Sequence, residues 1–489
     1  MKKPLFLILL VPILSLTAEP DHTITVDWNK VVARSRTSLS IQVCPEPPMR
    51  RSSPIHDQIY GALRNMKVDY ARLQPWYPYP RLSVAELEPP RDGKTSWDFS
   101  LIDPIVLDFF TAAEGRPVML SFSTLPQWMF QTEKPVPYPT DPDEITWNYG
   151  GGNRFRDPSL KEVVDYYHRL ASWYMKGGFH DECGKWHDSG HRFKVAYWEV
   201  LNEIDLEHEL SPQQYTAVYD AVVADLSSLD PDMKFSGLAL AGPSDRPEYI
   251  EYFLDQKNHQ SGIPLDLVSY HFYAAPDLDE TPEIQQYTFF KMADRFLSTV
   301  RYIETLRQRL SPATRTYVNE LGSFTPDTLS KDPRIPLSYW TLSGSMFAYL
   351  YPQLVRVGVD IIAAAELIDY PGQFAGATLV DWETGKPNAR YWVVKLLRTH
   401  FGPGDNLVET SHPEQVVLAQ AFVTPQEQRK ILLVNKRNHP ITVSIPRVAG
   451  SKMEFVDPTT GFDPPASVEL KETRVTLQPQ SVAVITLAK

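Results

Sequence analysis

Short apolar runs alternate with longer segments of helical period from about residue 39 to residue 400. Eight of the runs read as strands: Leu39–Val43, Val68–Leu73, Pro117–Phe122, Phe193–Val200, Lys234–Leu238, Leu265–Tyr270, Arg315–Asn319 and Val359–Ala364. Apolar positions at helical spacing predict helices over Ile55–Asn65, Leu101–Glu114, Pro158–Lys176, Pro212–Leu226, Arg246–Gln256, Pro282–Arg309, Ser338–Arg356 and Asn388–His400. Two of these carry clear start signals, Asp157 before Pro158 and Ser211 before Pro212, each an N-cap with proline in the first helical position. Strict alternation of strand and helix means a parallel sheet, and eight units is the number that closes a (β/α)8 barrel. An open, doubly wound nucleotide fold would want a Gly-rich turn after the first strand, and none follows it.

From about residue 405 the helical period stops. Val416–Phe422, Arg429–Asn435, Ile441–Ile445, Lys452–Val456, Ala466–Leu470 and Ser481–Leu487 read as short strands between polar, Gly or Pro turns. They predict a small antiparallel β-sandwich. The fold class is therefore α/β, a TIM barrel with a C-terminal sandwich. The early run Thr23–Val32 also alternates and is placed to add a strand to that sandwich. The organisation expected is a leader over 1–18, an N-terminal strand segment over 19–38, a catalytic barrel over 39–403 and the sandwich over 404–489.

The leader follows from Lys2 and Lys3, the apolar run Leu5–Leu16 and the small residues Ser15 to Ala18. That run is too short to span a bilayer and matches a secretory signal, so the protein is expected to be secreted or periplasmic, with no other membrane association. A net charge of −12, from 48 basic and 60 acidic residues, argues against a nucleic-acid partner. Two cysteines, Cys44 and Cys183, do not make a disulfide framework. Cys44 ends the first strand, while Cys183 precedes the fourth at the opposite end of the barrel, so both are expected as free thiols. No CxxC, HExxH or phosphate-loop pattern is present, and neither a metal nor a cofactor is expected. His180, His187 and His191 lie near Cys183 in a polar stretch that reads as a solvated loop.

Catalytic groups of such barrels sit at the C-terminal ends of strands. The fourth strand runs into Asn202-Glu203 and the seventh into Asn319-Glu320. Carboxyl groups three strands apart can face each other across the mouth, which is the arrangement glycoside hydrolysis needs. The segment Tyr197-Trp198-Glu199-Val200-Leu201-Asn202-Glu203-Ile204-Asp205-Leu206 resembles the acid/base motif of the clan A retaining glycosidases, and specifically glycoside hydrolase family 39. The family includes β-xylosidases and α-L-iduronidases. The stretch Trp97–Phe130, with its Trp-Asp-Phe-Ser-Leu-Ile-Asp start and Leu-Pro-Gln-Trp end, is similar to the family's second helix and third strand. Leu201, Ile204 and Asp205 depart from the pattern.

The resemblance implies Glu203 as general acid/base and Glu320 as nucleophile of a double displacement on an oligosaccharide or glycoside. A β-xylosidase-like substrate is favoured. An arabinoside, galactoside, glucoside or iduronide, or a non-catalytic carbohydrate-binding barrel, are the alternatives. It also implies that Arg72 neutralises the nucleophile and that His271 and Tyr273 flank it, Tyr273 touching it. Asn202 is expected to donate to the sugar 2-hydroxyl. Asn319 is expected to point away from Glu320 by strand alternation. Glu199 reads as an interior structural carboxylate. Glu366 and Asp369, after the eighth strand, are candidates for sugar hydroxyls or for a loop ion pair. The chain has 43 Pro against 23 Gly, with 24 Tyr, 22 Phe and 11 Trp. Many of both kinds follow strand ends, as rigid loops that carry aromatic faces for sugar rings would. Trp76, Trp128 and Trp382 are the leading candidates, with Tyr77, Tyr79, Trp147 and Tyr149 nearby in sequence.

Overall fold

A computed structural model describes residues 22–134, 136–413 and 415–488. The leader expected over 1–18 lies outside the described residues. Eight parallel strands close a barrel in sequence order. They are β1 (Ser38–Val43), β2 (Tyr70–Leu73), β3 (Val118–Leu120), β4 (Tyr197–Glu199), β5 (Lys234–Leu240), β6 (Leu267–Ala274), β7 (Arg315–Ser323) and β8 (Ile361–Ala364). A helix follows each: α1 (His56–Met66), α2 (Ile102–Ala113), α3 (Lys161–Met175), α4 (Pro212–Leu229), α5 (Pro247–Leu254), α6 (Pro282–Leu310), α7 (Leu337–Val357) and α8 (Ala389–His400). The expected (β/α)8 fold is the one observed.

Local chemistry sets several boundaries. Ser211 caps α4 through a full capping box, its hydroxyl accepting from Gln214 N at 3.2 Å while Gln214 Oε1 accepts from Ser211 N at 2.9 Å. Asn388 caps α8. Asp157 is not the cap of α3. The helix starts later, after Leu160 at φ 63°. Asp157 still serves that end, because its Oδ2 accepts from Glu162 N at 3.1 Å.

The barrel interior is layered. Its lower layer is apolar and aromatic, with Met119, Tyr197, Leu267, Tyr317, Ile361 and Ala363 in one cluster. Above it lies a polar layer built on Arg72 and Glu199, both buried. This polar layer is the floor of the site.

Among the described residues the tail forms eight strands rather than six. Asn406–Ser411 and Arg474–Leu477 were missed because each brings only two buried apolar residues. Seven strands make one sheet, with Thr25–Arg34 at its edge against Asn406–Ser411, and a three-stranded sheet faces it. The central strands of the larger sheet are buried on both faces. Leu418, Leu432, Val482 and Val484 join the barrel core, while Ala419, Leu433, Ala483 and Ile485 pack inside the sandwich. Burial on both faces explains why these strands read as continuous apolar runs.

Cys44 and Cys183 are both free, the first buried and the second exposed. Cys183 lies in the turn of a small hairpin, Gly178–His180 with Trp186–Asp188. Two of the three histidines there have carboxylate partners, His187 Nε2 2.8 Å from Asp181 and His191 Nε2 3.1 Å from Asp103, while His180 Nδ1 lies 3.3 Å from Gly184 O.

Candidate active site

Glu203 and Glu320 meet at the C-terminal mouth of the barrel. An oxygen of each and the Nδ1 of His271 lie within 4.8 Å of one another. The imidazole bridges the pair, with Nδ1 3.1 Å from Glu203 Oε1 and 3.3 Å from Glu320 Oε2. Hydrogen bonds among protein groups account for this convergence, and we assign no ion to it.

The two carboxyl groups have different surroundings. Glu320 is ringed by donors: Arg72 Nη1 at 2.9 Å, the Tyr273 hydroxyl at 2.8 Å and Gln42 Nε2 at 3.4 Å, besides His271. Donors from three sides suit a group that only accepts. Among the described residues the side-chain partner of Glu203 is His271, and the Glu203 side chain is 17 % exposed toward the pocket. Burial pushes the Glu203 carboxyl up; the His271 contact opposes this, and the charge of Glu320 adds to it. Burial works against a charged His271, yet Glu320 and Glu203 prevail and raise it above the ordinary imidazole value.

The backbone at both glutamates is unusual. Leu201 and Glu203 have φ of 61° and 42°, a left-handed turn at the end of β4 that aims Glu203 over the mouth. Glu203 N donates to Ala239 O of β5 at 2.9 Å, fixing the turn. Ile204 is fully buried, and Asp205 accepts from Ala241 N and Gly242 N at 3.0 and 2.9 Å. The departures from the family motif thus have structural work to do beside the site.

At β7 the pairing with β6 slips: Tyr270 pairs with Val318, but His271 pairs with Glu320. Asn319 is the extra residue of this bulge. Both Asn319 and Glu320 consequently face inward. Asn319 Nδ2 donates to Glu199 at 3.2 and 3.3 Å, so the expectation that it points away from Glu320 fails where alternation breaks. Two residues on, Gly322 has no room for a side chain. A Cβ there would lie 2.7 Å from Ala365 O and 3.0 Å from the Tyr273 ring.

Arg72 is 0 % exposed and ties the floor together. Its Nε donates to Glu199 at 2.8 Å, and its Nη2 reaches both Glu199 and Asn202 Oδ1, the latter at 2.9 Å. Ser236 and Ser269 donate to the other Glu199 oxygen at 2.9 and 3.2 Å. Glu199 is the structural carboxylate expected. Gln42 and Gln74 complete the network around Arg72 Nη1. They end β1 and follow β2, and an inward-facing strand-end polar residue was the signal available for them.

The pocket above is lined by Cys44, Glu46, Gln74, Trp76, Asn202, Glu203, Tyr273, Glu320, Phe324, Glu366, Asp369, Gln373, Phe374 and Ala377. Of the residues singled out from the sequence, Trp76, Asn202, Glu203, Tyr273, Glu320, Glu366 and Asp369 line it, and Arg72 and His271 contact them from beneath. Trp128 and Trp382 are not brought to the pocket. Trp128 donates to Glu86 O at 2.9 Å and carries Arg156 over its ring at 4.5 Å. Trp382 packs half-buried on the barrel core. The aromatic rim is built instead from Trp76, Trp147, Phe324 and Phe374, with Phe324 stacked on Tyr273 at 3.9 Å.

Sequence reasoning missed Glu46, Gln373, Phe324, Phe374 and Glu207. Glu207 Oε1 accepts from Trp76 Nε1 at 2.8 Å and Asn202 Nδ2 at 2.9 Å. Burial, then the charge of Glu203, pushes Glu207 well above the carboxylate range. It sits one turn past Glu203, a place only the tight turn at the motif reveals.

No protein-family model matches the chain. In sequence it is similar to a β-xylosidase of Geobacillus stearothermophilus, 26 % identical over 194 residues, or 39 % of this chain. The match spans about a third of that relative's length, 33 %. In fold it is similar to solved glycoside hydrolases over nearly its whole length. A GH51 arabinofuranosidase from Xanthomonas axonopodis pv. citri superposes with a TM-score of 0.65 at 13 % identity, covering 96 % of this chain and all of that one. An α-L-arabinofuranosidase from Thermotoga maritima gives 0.62 at 14 %, covering 95 % and 99 %. A GH30 endoxylanase from Clostridium papyrosolvens gives 0.57 at 14 %, covering 96 % and 100 %. The fold is a barrel-plus-sandwich architecture shared with these solved glycoside hydrolases. Within that class, the sequence likeness is to a β-xylosidase and is partial.

Proposed function

We propose that the protein is a retaining glycoside hydrolase with Glu203 as general acid/base and Glu320 as nucleophile. The observation that carries this reading is the pair itself, within 4.8 Å oxygen to oxygen and bridged by one imidazole. Retaining enzymes hold their carboxyl groups about 5–5.5 Å apart, while inverting enzymes need about 6.5–9.5 Å to admit a water. The surroundings support the order of roles. The donor-ringed Glu320 suits attack at the anomeric carbon, and the upshifted Glu203 suits a proton held until it is needed.

In the first step Glu320 forms a bond to the anomeric carbon as the glycosidic C–O bond breaks, and Glu203 gives its proton to the leaving oxygen. Ester formation removes the charge of Glu320, one of the influences that held Glu203 up. Glu203 then takes a proton from water, whose oxygen attacks the anomeric carbon and releases Glu320. Asn202, fixed by Arg72, keeps an N–H for the sugar 2-hydroxyl.

The pocket favours a neutral sugar. Five carboxyl groups line it (Glu46, Glu203, Glu320, Glu366, Asp369), and no Lys or Arg is among the lining residues. A uronate would meet like charge there. The likeness to a β-xylosidase supports a β-xyloside as the substrate. The apolar N-terminal run supports export, and sequencing the N-terminus of the mature protein tests that point.

The activity is tested with aryl β-xyloside, α-L-arabinoside, β-galactoside, β-glucoside and α-L-iduronide. Hydrolysis of the xyloside is expected to lead. Glu320→Ala is expected to be inactive and to be rescued by azide, giving a glycosyl azide of the opposite anomeric configuration. Wild-type rates in that variant would remove Glu320 as nucleophile. Sugar binding without turnover of any glycoside would favour a binding protein.

A further inference from the structure

Two residues that line the pocket, Trp76 after β2 and Asn202 after β4, are held from behind by one side chain that does not line it. Glu207 Oε1 accepts from Trp76 Nε1 at 2.8 Å and from Asn202 Nδ2 at 2.9 Å. Backbone and packing fix its place. Glu203 O accepts from Leu206 N at 2.8 Å and from Glu207 N at 2.7 Å, which closes a tight turn. Leu210 N donates to Ile204 O at 3.0 Å across the same turn. Ile204 is fully buried, and the buried His208 stacks on Phe130 at 4.9 Å and lies 3.1 Å from Gly152 O. Glu207 is thus anchored by its neighbours on both sides.

The contacts decide which way round the Asn202 amide lies. Its two ends are nearly the same shape, and only their hydrogen-bond partners distinguish them. Arg72 Nη2 lies 2.9 Å from one end. A guanidinium can only donate, so that end is the carbonyl oxygen. The other end donates to Glu207, which takes one of its two N–H groups and leaves the second for a ligand in the pocket. Arg72 alone would hold the amide at one point, about which it could swing; Glu207 supplies the second. Trp76 is placed in the same way. It packs edge-on to Trp147 at 5.7 Å and tilted to Phe374 at 5.8 Å, contacts along which rings can slide. Its single N–H goes to Glu207 and fixes where the ring stops.

We propose that Glu207 is a positioning residue of the site. One oxygen joins Asn202 to Trp76, so that the N–H for a sugar 2-hydroxyl and the aromatic face for the ring are presented as one unit. The proposal rests on the hydrolase reading for the reaction and its substrate, and on the two hydrogen bonds for the rest. The 2-hydroxyl contact tightens in the transition state, so loosening Asn202 falls mainly on kcat. A ring face serves substrate and transition state alike, so loosening Trp76 falls mainly on KM.

The test crosses protein variants with substrates. The aryl glycoside cleaved fastest and its 2-deoxy analogue are compared in wild type, Glu207→Met and Glu207→Gln. Methionine keeps the length of the side chain and removes the acceptor, while glutamine keeps an acceptor oxygen for both donors. The factor by which the missing 2-hydroxyl lowers kcat is expected to shrink about fivefold or more in Glu207→Met, and to return in Glu207→Gln. A merely structural role would slow both substrates alike, so an unchanged factor in Glu207→Met overturns the proposal. Glu207→Ala, which admits water to the two donors, gives the same readout if the methionine variant does not fold. Trp76→Phe keeps a ring and removes its N–H. Its rise in KM should overlap that of Glu207→Met, the double variant exceeding the larger single rise by less than about twofold. Rises that multiply would refute the joint platform. A wild type that turns over no glycoside ends the hydrolase reading, and the cycle is then read on calorimetric binding of xylose and 2-deoxyxylose. Equal discrimination between those sugars in wild type and Glu207→Met overturns the proposal there too.

Discussion

Glu86 is a buried carboxyl group away from the chemistry, and it makes folding stability depend on pH in a way that can be measured. It lies in the long loop between β2 and α2, 0 % exposed, and among the described residues neither carboxyl oxygen has a hydrogen-bond partner. Burial first, then repulsion from Glu182, raises it from 4.5 to about 8, against the opposing pull of Arg169. The sign follows from linkage. The unfolded chain releases this proton near pH 4.5 and the folded chain only near 8, so the contribution is fully present below 4.5 and lost as pH rises toward 8. At about 1.36 kcal/mol per unit, the loss is about 1 kcal/mol at pH 5 and about 4 kcal/mol at pH 8. Glu86→Gln removes the titration and keeps the shape. The amide adds a buried donor that costs about 1–3 kcal/mol at every pH. The stability of the variant relative to wild type should therefore improve by about 3 kcal/mol between pH 5 and pH 8. Denaturant unfolding of both proteins at the two pH values measures this double difference, in which all other titrations cancel. A stability gap unchanged across that interval would refute the reasoning.

Further predictions address the site directly. Tyr273→Phe removes a 2.8 Å hydrogen bond to Glu320 and should lower kcat/KM roughly 10- to 100-fold, the worth of about 1.5–3 kcal/mol for a charged acceptor, as read from steady-state rates. Arg72→Met leaves Glu199 and Glu320 buried without their cation and should destabilise the fold by about 3–5 kcal/mol as well as abolish turnover, which calorimetry and rates check together. Trp128→Ala should leave KM within about twofold, because the ring lies outside the pocket, while stability falls by about 1–2 kcal/mol with the lost Glu86 and Arg156 contacts. A thiol reagent should titrate one cysteine in the native protein and two after denaturation, since Cys183 is exposed while Cys44 is buried and pushed well up by burial.

How far the site was legible in the sequence depends on what fixes each residue. Strand ends are read from apolar periodicity, and catalytic groups of a barrel cluster there, so Arg72, Glu203, His271, Tyr273, Glu320 and Glu366 could be named in advance. Trp128 and Trp382 failed for the opposite reason. Both follow strand ends, but loop paths decide whether a side chain turns inward, and the β3–α3 loop carries the Trp128 ring to Glu86 and Arg156. Asn319 shows how a single backbone irregularity defeats a correct rule. Alternation puts it opposite Glu320, and the bulge at His271 and Glu320 returns both to the interior. Glu366 and Asp369 could be placed after β8, but their meeting with Glu46 could not be read. Glu46 and Asp369 stand 323 positions apart, and only ring closure, which pairs β8 with β1 at Ile361–Ser38 through Ala364–Ile41, brings their loops together. The same closure sets Glu366 against Cys44. A barrel joins its first and last strands, so the residues most remote in sequence become neighbours at one side of the pocket. That side is where local pattern carries least information. The motifs on β4 and β7, by contrast, carry the proposed chemistry in contiguous stretches of chain.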